Sequence, residues 1–160
     1  MQTPPPTPGS SRGIRPYLVA GRSFTLSALA LLFAVRVAGQ AIQRWLPLSF
    51  LPPFGAFQGS TIPYPVLLPV QVAILAIMLG IARRVQQGTL VRREPIGRML
   101  SFAGRVYFVT MLARLVIGLT VPEAPAWFRA PISSVFHLVL ATFVLVLAAH
   151  HRELPGAHLR

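Results

Sequence analysis

Four long apolar runs alternate with short polar or proline-rich connections along the chain, and this pattern determines the predicted fold. A helix needs about 20 consecutive apolar residues to cross the hydrocarbon core of a bilayer, and each run has about this length. We therefore predict an all-α, four-helix integral membrane bundle over residues 23–150. Its four spans are expected at about residues 24–46, 63–82, 96–121 and 131–149.

The first run has a second interpretation, because basic residues precede it. The apolar stretch Ser27–Val35, followed by the small residues Ala38–Gly39, also resembles a secretory signal peptide with its cleavage region. Arg36 is badly placed for a signal peptide, and the apolar run resumes as far as Trp45. These two features favour a retained membrane helix.

Composition adds a strong positive charge to this apolar pattern. The formal net charge is +12, all fifteen basic residues are arginine, and only three residues are acidic. The arginines flank the apolar runs, which favours membrane lipids rather than nucleic acid as partners. The arginine bias is typical of a GC-rich bacterial genome, so we expect a multi-pass protein of a bacterial inner membrane. The absence of cysteine excludes a disulfide, a thiolate metal site and a cysteine nucleophile.

The arginines are distributed unequally between the two sides of the predicted bundle. The tail at residues 1–22 holds three, the connection at 83–98 holds five and the tail at 151–160 holds two. By contrast, the other two connections have at most one arginine each, with Arg44 at the end of the first span and Arg129 in the last connection. The positive-inside rule then predicts two helical hairpins with both termini cytoplasmic. We expect the proline-rich N-terminal tail to be disordered and the C-terminal tail to be cytoplasmic.

Polar side chains within the spans reach a common depth if this topology holds. With a rise of about 1.5 Å per residue, Arg36, Gln40, Gln71, Arg114 and His137 all lie just below the outer face. A planar guanidinium group binds phosphate or carboxylate well. We therefore predict an outer-leaflet pocket, formed by these five residues, for an anion or a polarised carbonyl, such as the headgroup of an anionic lipid or a quinone. The alternative is structural, with Arg36 and Arg114 bonded to carbonyls, a glutamine or Glu123.

His137 is the only histidine predicted within a span, and three roles compete for it. It is a hydrogen-bonded packing residue, a proton carrier or a metal ligand. A haem with two histidine ligands is disfavoured, because the other histidines lie at or beyond the opposite end of the bundle. We predict no metal site and no cofactor.

Acidic residues are too few and too far apart for carboxylate catalysis. Glu94, Glu123 and Glu153 all lie outside the four predicted spans, and nucleotide-binding and hydrolase motifs are absent. The leading hypothesis is a non-catalytic subunit or accessory factor of a membrane complex, with no catalytic residue. The alternatives are a small oligomeric carrier or flippase-like transporter, and a small membrane enzyme with His137 as acid–base.

The connection at residues 47–62 is unusually apolar for a loop. It contains three prolines, two glycines and no charge, so a continuous helix is not expected. One interpretation is a loop that lies at the membrane interface. The other is a docking surface for a partner membrane subunit, formed by Phe50, Phe54 and Phe57. A homo-oligomer is a further alternative.

Overall fold

The computed structural model of the protein describes residues 14–59 and 62–152, and the side chains from residue 20 onward within these ranges. The described chain is all-helical and contains no β-strand. The predicted all-α class, with four long apolar helices, is thereby confirmed. The helices are α1 (Ile14–Trp45), α2 (Phe54–Phe57), α3 (Tyr64–Gln86), α4 (Glu94–Thr120) and α5 (Pro131–Arg152).

Four of these helices are long and apolar enough to cross a bilayer, with candidate spans Ala20–Trp45, Tyr64–Gln86, Glu94–Thr120 and Pro131–Arg152. Three ends extend well beyond the sequence-based limits, and one of them is that of α5, which continues past residue 149 to Arg152. α1 begins at Ile14 and so includes residues that were assigned to the N-terminal tail, while α3 continues beyond residue 82 to Gln86. Arginine is a good helix former, so it marks where a helix leaves the hydrocarbon but does not end it. The rest of the predicted tails, residues 1–13 and 153–160, lies outside the described residues.

The long helices pack in the order α3, α1, α5, α4. α1 contacts both α3 and α5, and α5 forms its most extensive interface with α4. Among the described residues, no Cα atom of α3 lies within 8 Å of a Cα atom of α4. The two outer helices of this order are therefore separated by a gap.

Close approach between α4 and α5 depends on a glycine in α4. A Cβ atom at Gly104 would lie 2.9 Å from Leu145 Cδ2 and 3.2 Å from Val144 Cγ1. Small residues allow membrane helices to approach closely and gain van der Waals contacts along their length. Gly104 therefore allows α5 to pack tightly against α4.

The apolar core lies mainly between α1 and α3, with a contribution from α5. Large apolar side chains outside the core are exposed on all four long helices, including Leu32, Ile77, Phe102 and Val135. Such surfaces suit a bilayer, because lipid chains cover them without an unfavourable contact with water. The core cluster consists of Leu26, Ala30, Phe33, Val37, Met78, Ala82, Val85 and Phe143.

Candidate ligand-binding cavity

Arg114 in α4 joins two connections of the chain through backbone carbonyls. The side chain is 2% exposed. Its Nε and Nη2 donate hydrogen bonds of 2.9 and 2.7 Å to the carbonyl of Trp127, and Nη2 also lies 3.3 Å from the carbonyl of Gly59. Its Cζ lies 4.2 Å from the centroid of the Trp127 ring, a cation–π distance. One guanidinium group therefore holds both connections at the same end of the bundle, which we call the α2 end.

Gly59 must lack a side chain for this contact to form. A Cβ atom there would collide with Ser133 of α5 and lie 3.1 Å from Nη2 of Arg114. The backbone at residue 59 thus passes directly over the first turn of α5. This explains how a loop carbonyl reaches a guanidinium group on α4.

Arg36 in α1 has a similar arrangement at the same end. It is buried, and its Nη2 donates a 2.9 Å hydrogen bond to the carbonyl of Phe57. Its Cζ lies 5.7 Å from the centroid of the Phe136 ring. Its Nε is buried and has no hydrogen-bond partner. Both arginines are therefore hydrogen-bonded to backbone carbonyls, as the structural interpretation of the sequence expects.

Gln40 and Gln71 pair across the interface between α1 and α3. Nε2 of Gln71 donates a 3.2 Å hydrogen bond to Oε1 of Gln40, and both side chains are buried. The remaining polar atom of each amide, Nε2 of Gln40 and Oε1 of Gln71, is buried without a partner. In each of the two amides, therefore, one polar atom is hydrogen-bonded and the other is not.

His137 of α5 pairs with Tyr107 of α4, a residue that was not assigned to the site from the sequence. The Tyr107 hydroxyl and the His137 Nδ1 are 2.6 Å apart. Tyr107 precedes Arg114 by seven residues, or about two helical turns, so both lie on the same face of α4. The seven-residue spacing from Arg114 is the sequence signal that could have identified Tyr107 as a site residue.

A cavity of about 340 Å³ lies between α3 and α4 at the α2 end. Four of the five predicted site residues line it, namely Arg36, Gln71, Arg114 and His137. Gln40 is buried nearby, hydrogen-bonded to Gln71, but it does not line the cavity. The polar wall also includes Ser133 and Trp127, which the sequence did not assign to the site. The apolar wall comes mainly from Phe33, Leu67, Val70, Ile74, Met111 and Leu140.

No carboxylate lines this cavity within the described part of the chain. The ion pair found among the described residues is between Arg98 and Glu94, 4.0 Å apart on an exposed face of α4. The two cavity arginines are thus offset by carbonyl dipoles and aromatic rings, not by an opposite charge. Such a cavity attracts anions.

The remaining candidates lie outside this cavity. Phe50 is exposed, Phe54 is half-buried, and Phe57 is 6% exposed, so Phe57 is not part of an accessible docking surface. At the opposite end of the bundle, Nδ1 of His151 accepts a 3.2 Å hydrogen bond from the backbone N–H of Arg93. Among residues 14–59 and 62–152, no cluster of three or more metal-ligating side chains occurs.

Comparison with known proteins does not assign a ligand to the cavity. No protein-family model, curated protein or solved structure matches the chain significantly. The function must therefore be inferred from the chemistry of the cavity and its position in the fold.

Proposed function

We propose that the protein is a non-catalytic subunit or accessory factor of a bacterial inner-membrane complex that binds the anionic headgroup of a membrane lipid. One observation carries this proposal. The cavity of about 340 Å³ brings together Arg36 and Arg114, and no described carboxylate lines it. Its volume falls within the usual range for small-molecule sites, about 300–1,000 Å³.

The gap between α3 and α4 supports a lipid as the ligand. These two helices both line the cavity, and no pair of their described Cα atoms lies within 8 Å. A headgroup can therefore occupy the polar wall while its acyl chains pass between the helices into the bilayer. Val70 and Ile74 of α3 and Met111 of α4 provide apolar contacts for those chains.

We further propose two helical hairpins with cytoplasmic termini, which place the cavity in the outer leaflet. The arginine-rich connection at residues 83–98 supports this orientation through the positive-inside rule. Reporter fusions at Gly88 and Ala124 test it. Opposite sides are expected, and two signals from the same side would refute the topology.

A quinone headgroup is the second candidate, and the Tyr107–His137 pair favours it. The two side chains lie 2.6 Å apart, and His137 lines the cavity. A quinone oxygen accepts hydrogen bonds and exchanges protons when it is reduced, and a tyrosine–histidine pair suits both processes.

Fluorescence of Trp127 provides a direct binding test, because its ring lines the cavity. In a Trp45→Phe variant it is the sole tryptophan. We expect phosphatidylglycerol, added to delipidated protein in detergent, to change its emission at lower concentration than phosphatidylethanolamine or a ubiquinone analogue. Arg36→Gln or Arg114→Gln is expected to weaken binding about tenfold or more, equivalent to about 1.4 kcal/mol or more.

Arg105→Gln is the matched control, since it removes the same charge from an exposed position in α4. It should leave the affinity unchanged. Thermal unfolding of each variant separates lost binding from lost structure. Equal affinity for the anionic and zwitterionic lipids would reject charge recognition, and tighter binding of the quinone would favour the second candidate.

Two further experiments test the biological role. A subunit should co-purify with a larger complex in mild detergent, whereas a clean monomer or homodimer would contradict that role. A carrier or flippase-like transporter instead predicts lipid transport in liposomes that is lost in Arg114→Ala. Absence of transport by the unmodified protein would exclude this alternative.

A further inference from the structure

A second cavity, of about 380 Å³, lies between the end of α1, the short helix α2 and the start of α3. Arg44, Trp45, Phe54 and Tyr64 form much of its wall. It shares no lining residue with the cavity between α3 and α4. It is therefore a separate candidate site at the same end of the bundle.

Three aromatic rings meet in this second cavity. The Tyr64 ring lies 5.8 Å from Trp45 and 5.2 Å from Phe54, with interplanar angles of 65° and 88°. In an edge contact, one ring covers one face of the other, so only the remaining exposed faces are available to other groups. Trp45 is 62% exposed, which leaves much of its indole uncovered.

The two cavities differ in what occupies their aromatic faces. In the first, Arg36 lies over Phe136 and Arg114 lies over Trp127, so the protein's own cations take those faces. In the second, no arginine among the described residues lies over Trp45, Phe54 or Tyr64. The second cavity can therefore accept a cation from a ligand.

Arg44 supplies the complementary group. It is exposed, lines the second cavity, and makes no hydrogen bond or ion pair with any described residue. A guanidinium group without a protein acceptor is suited to bidentate binding of a phosphate. One wall of the cavity thus favours an anion and another favours a cation.

We infer that this second cavity binds the headgroup of a zwitterionic phospholipid. The phosphate binds Arg44, and the ammonium group lies against the exposed ring of Trp45 and the half-buried ring of Phe54, which both contact the buried Tyr64 ring. Trp45 is the last residue of α1 and Tyr64 the first of α3. The ends of spanning helices meet lipid headgroups, so a lipid reaches this position without leaving the membrane. The inference depends on membrane insertion but not on the ligand of the first cavity.

Trp45 fluorescence tests the inference separately. A Trp127→Phe variant keeps Trp45 as the sole tryptophan. Delipidated protein in detergent is titrated with short-chain phosphatidylethanolamine, phosphatidylglycerol and free phosphoethanolamine. We expect phosphatidylethanolamine to change Trp45 emission at a concentration about tenfold lower than phosphatidylglycerol does.

Variants of the two walls should have different effects. Arg44→Gln is expected to weaken binding of both lipids about tenfold, because both carry the phosphate. Phe54→Leu should weaken phosphatidylethanolamine alone and so remove the preference. Arg105→Gln serves as the control for charge, because it lies outside both cavities.

Three results would overturn the inference. Equal or tighter binding of phosphatidylglycerol would show that the rings do not recognise the ammonium group. Equal binding of free phosphoethanolamine would identify a soluble ligand, not a lipid. An unchanged Trp45 spectrum with all three ligands, in a variant that unfolds at the normal temperature, would show that the cavity binds none of them. None of these results bears on Trp127 or the first cavity.

Discussion

The interface between α1 and α3 has two halves that are built in opposite ways. Away from the α2 end, Leu26 and Ala30 of α1 belong to one apolar cluster with Met78 and Ala82 of α3. Toward the α2 end, the same two helices contribute a different set of buried residues, Arg36, Gln40, Tyr64 and Gln71.

The two halves differ in whether their buried side chains carry polar atoms that lack hydrogen-bond partners. Apolar side chains require only complementary shape, and the first half provides it. Among the described residues, six buried side-chain atoms lack a hydrogen-bond partner, and four of them belong to the second half, namely Arg36 Nε, Gln40 Nε2, Tyr64 Oη and Gln71 Oε1. An unsatisfied buried polar group costs about 1–3 kcal/mol. The apolar half thus stabilises the fold, whereas the polar half retains the cost of these unsatisfied groups. Two of the four residues, Arg36 and Gln71, line the first cavity.

The largest effect is expected in the apolar half. Leu26→Ala removes a fully buried side chain and should lower the free energy of unfolding by about 2–5 kcal/mol. Unfolding in a titration with sodium dodecyl sulfate measures the change. Leu32→Ala, on an exposed face of α1, is the control and should have little effect. Similar losses in both variants would contradict the assignment of the core.

Arg114→Leu should give the next largest effect. It removes the donors to the carbonyls of Trp127 and Gly59, and a hydrogen bond from a charged group contributes about 1.5–3 kcal/mol. Hydrogen–deuterium exchange is expected to become faster in the connection at residues 121–130. Arg105→Leu should leave this exchange unchanged. Normal protection of the connection in Arg114→Leu would show that the arginine does not hold it.

The glutamine pair should respond differently to single and double substitution. Gln40→Leu alone leaves Gln71 buried without its acceptor, at an expected cost of about 1–3 kcal/mol. Replacing both glutamines by leucine removes the unsatisfied groups as well, so the double variant should unfold within about 1 kcal/mol of the parent. Additive losses in the double variant would refute the proposed cost of the polar half.

The smallest effect is expected for Tyr107→Phe. This change removes the 2.6 Å contact with His137 but keeps the ring. Hydrogen bonds between membrane helices contribute about 0.6 kcal/mol on average and at most about 1.7 kcal/mol. The same detergent titration measures the difference. A loss above 3 kcal/mol would mean that this contact, and not Arg114, organises the α2 end.

The amino-acid sequence predicts the helices well, because the length of an apolar run and the thickness of a bilayer are directly related. It also predicts which polar side chains lie at a similar level along the helices, and Arg36, Gln71, Arg114 and His137 line one cavity. Depth does not determine the direction in which a side chain points around the helix axis. Gln40 is hydrogen-bonded to Gln71, which lines the cavity, yet Gln40 itself lies outside the cavity lining.

The connections were harder to predict. The partners of the two arginines are the carbonyls of Phe57, Gly59 and Trp127, and a backbone carbonyl has no signature in the sequence. Phe57 was expected at an accessible surface because the loop is apolar. It is buried instead: its carbonyl accepts a hydrogen bond from Arg36, and its ring lies beside Gly39 of α1.

Arg36 and Arg114 are held by backbone carbonyls, and this affects how the sequence of the site can evolve. A carbonyl is present whatever the side chain, so most positions in the two connections are free to vary. The constraints fall on the two arginines and on Gly59, where any larger residue would meet Ser133. Chains of common ancestry should therefore keep these few positions while their loop sequences diverge. The spacing of two intramembrane arginines and one loop glycine is the pattern by which such relatives can be recognised.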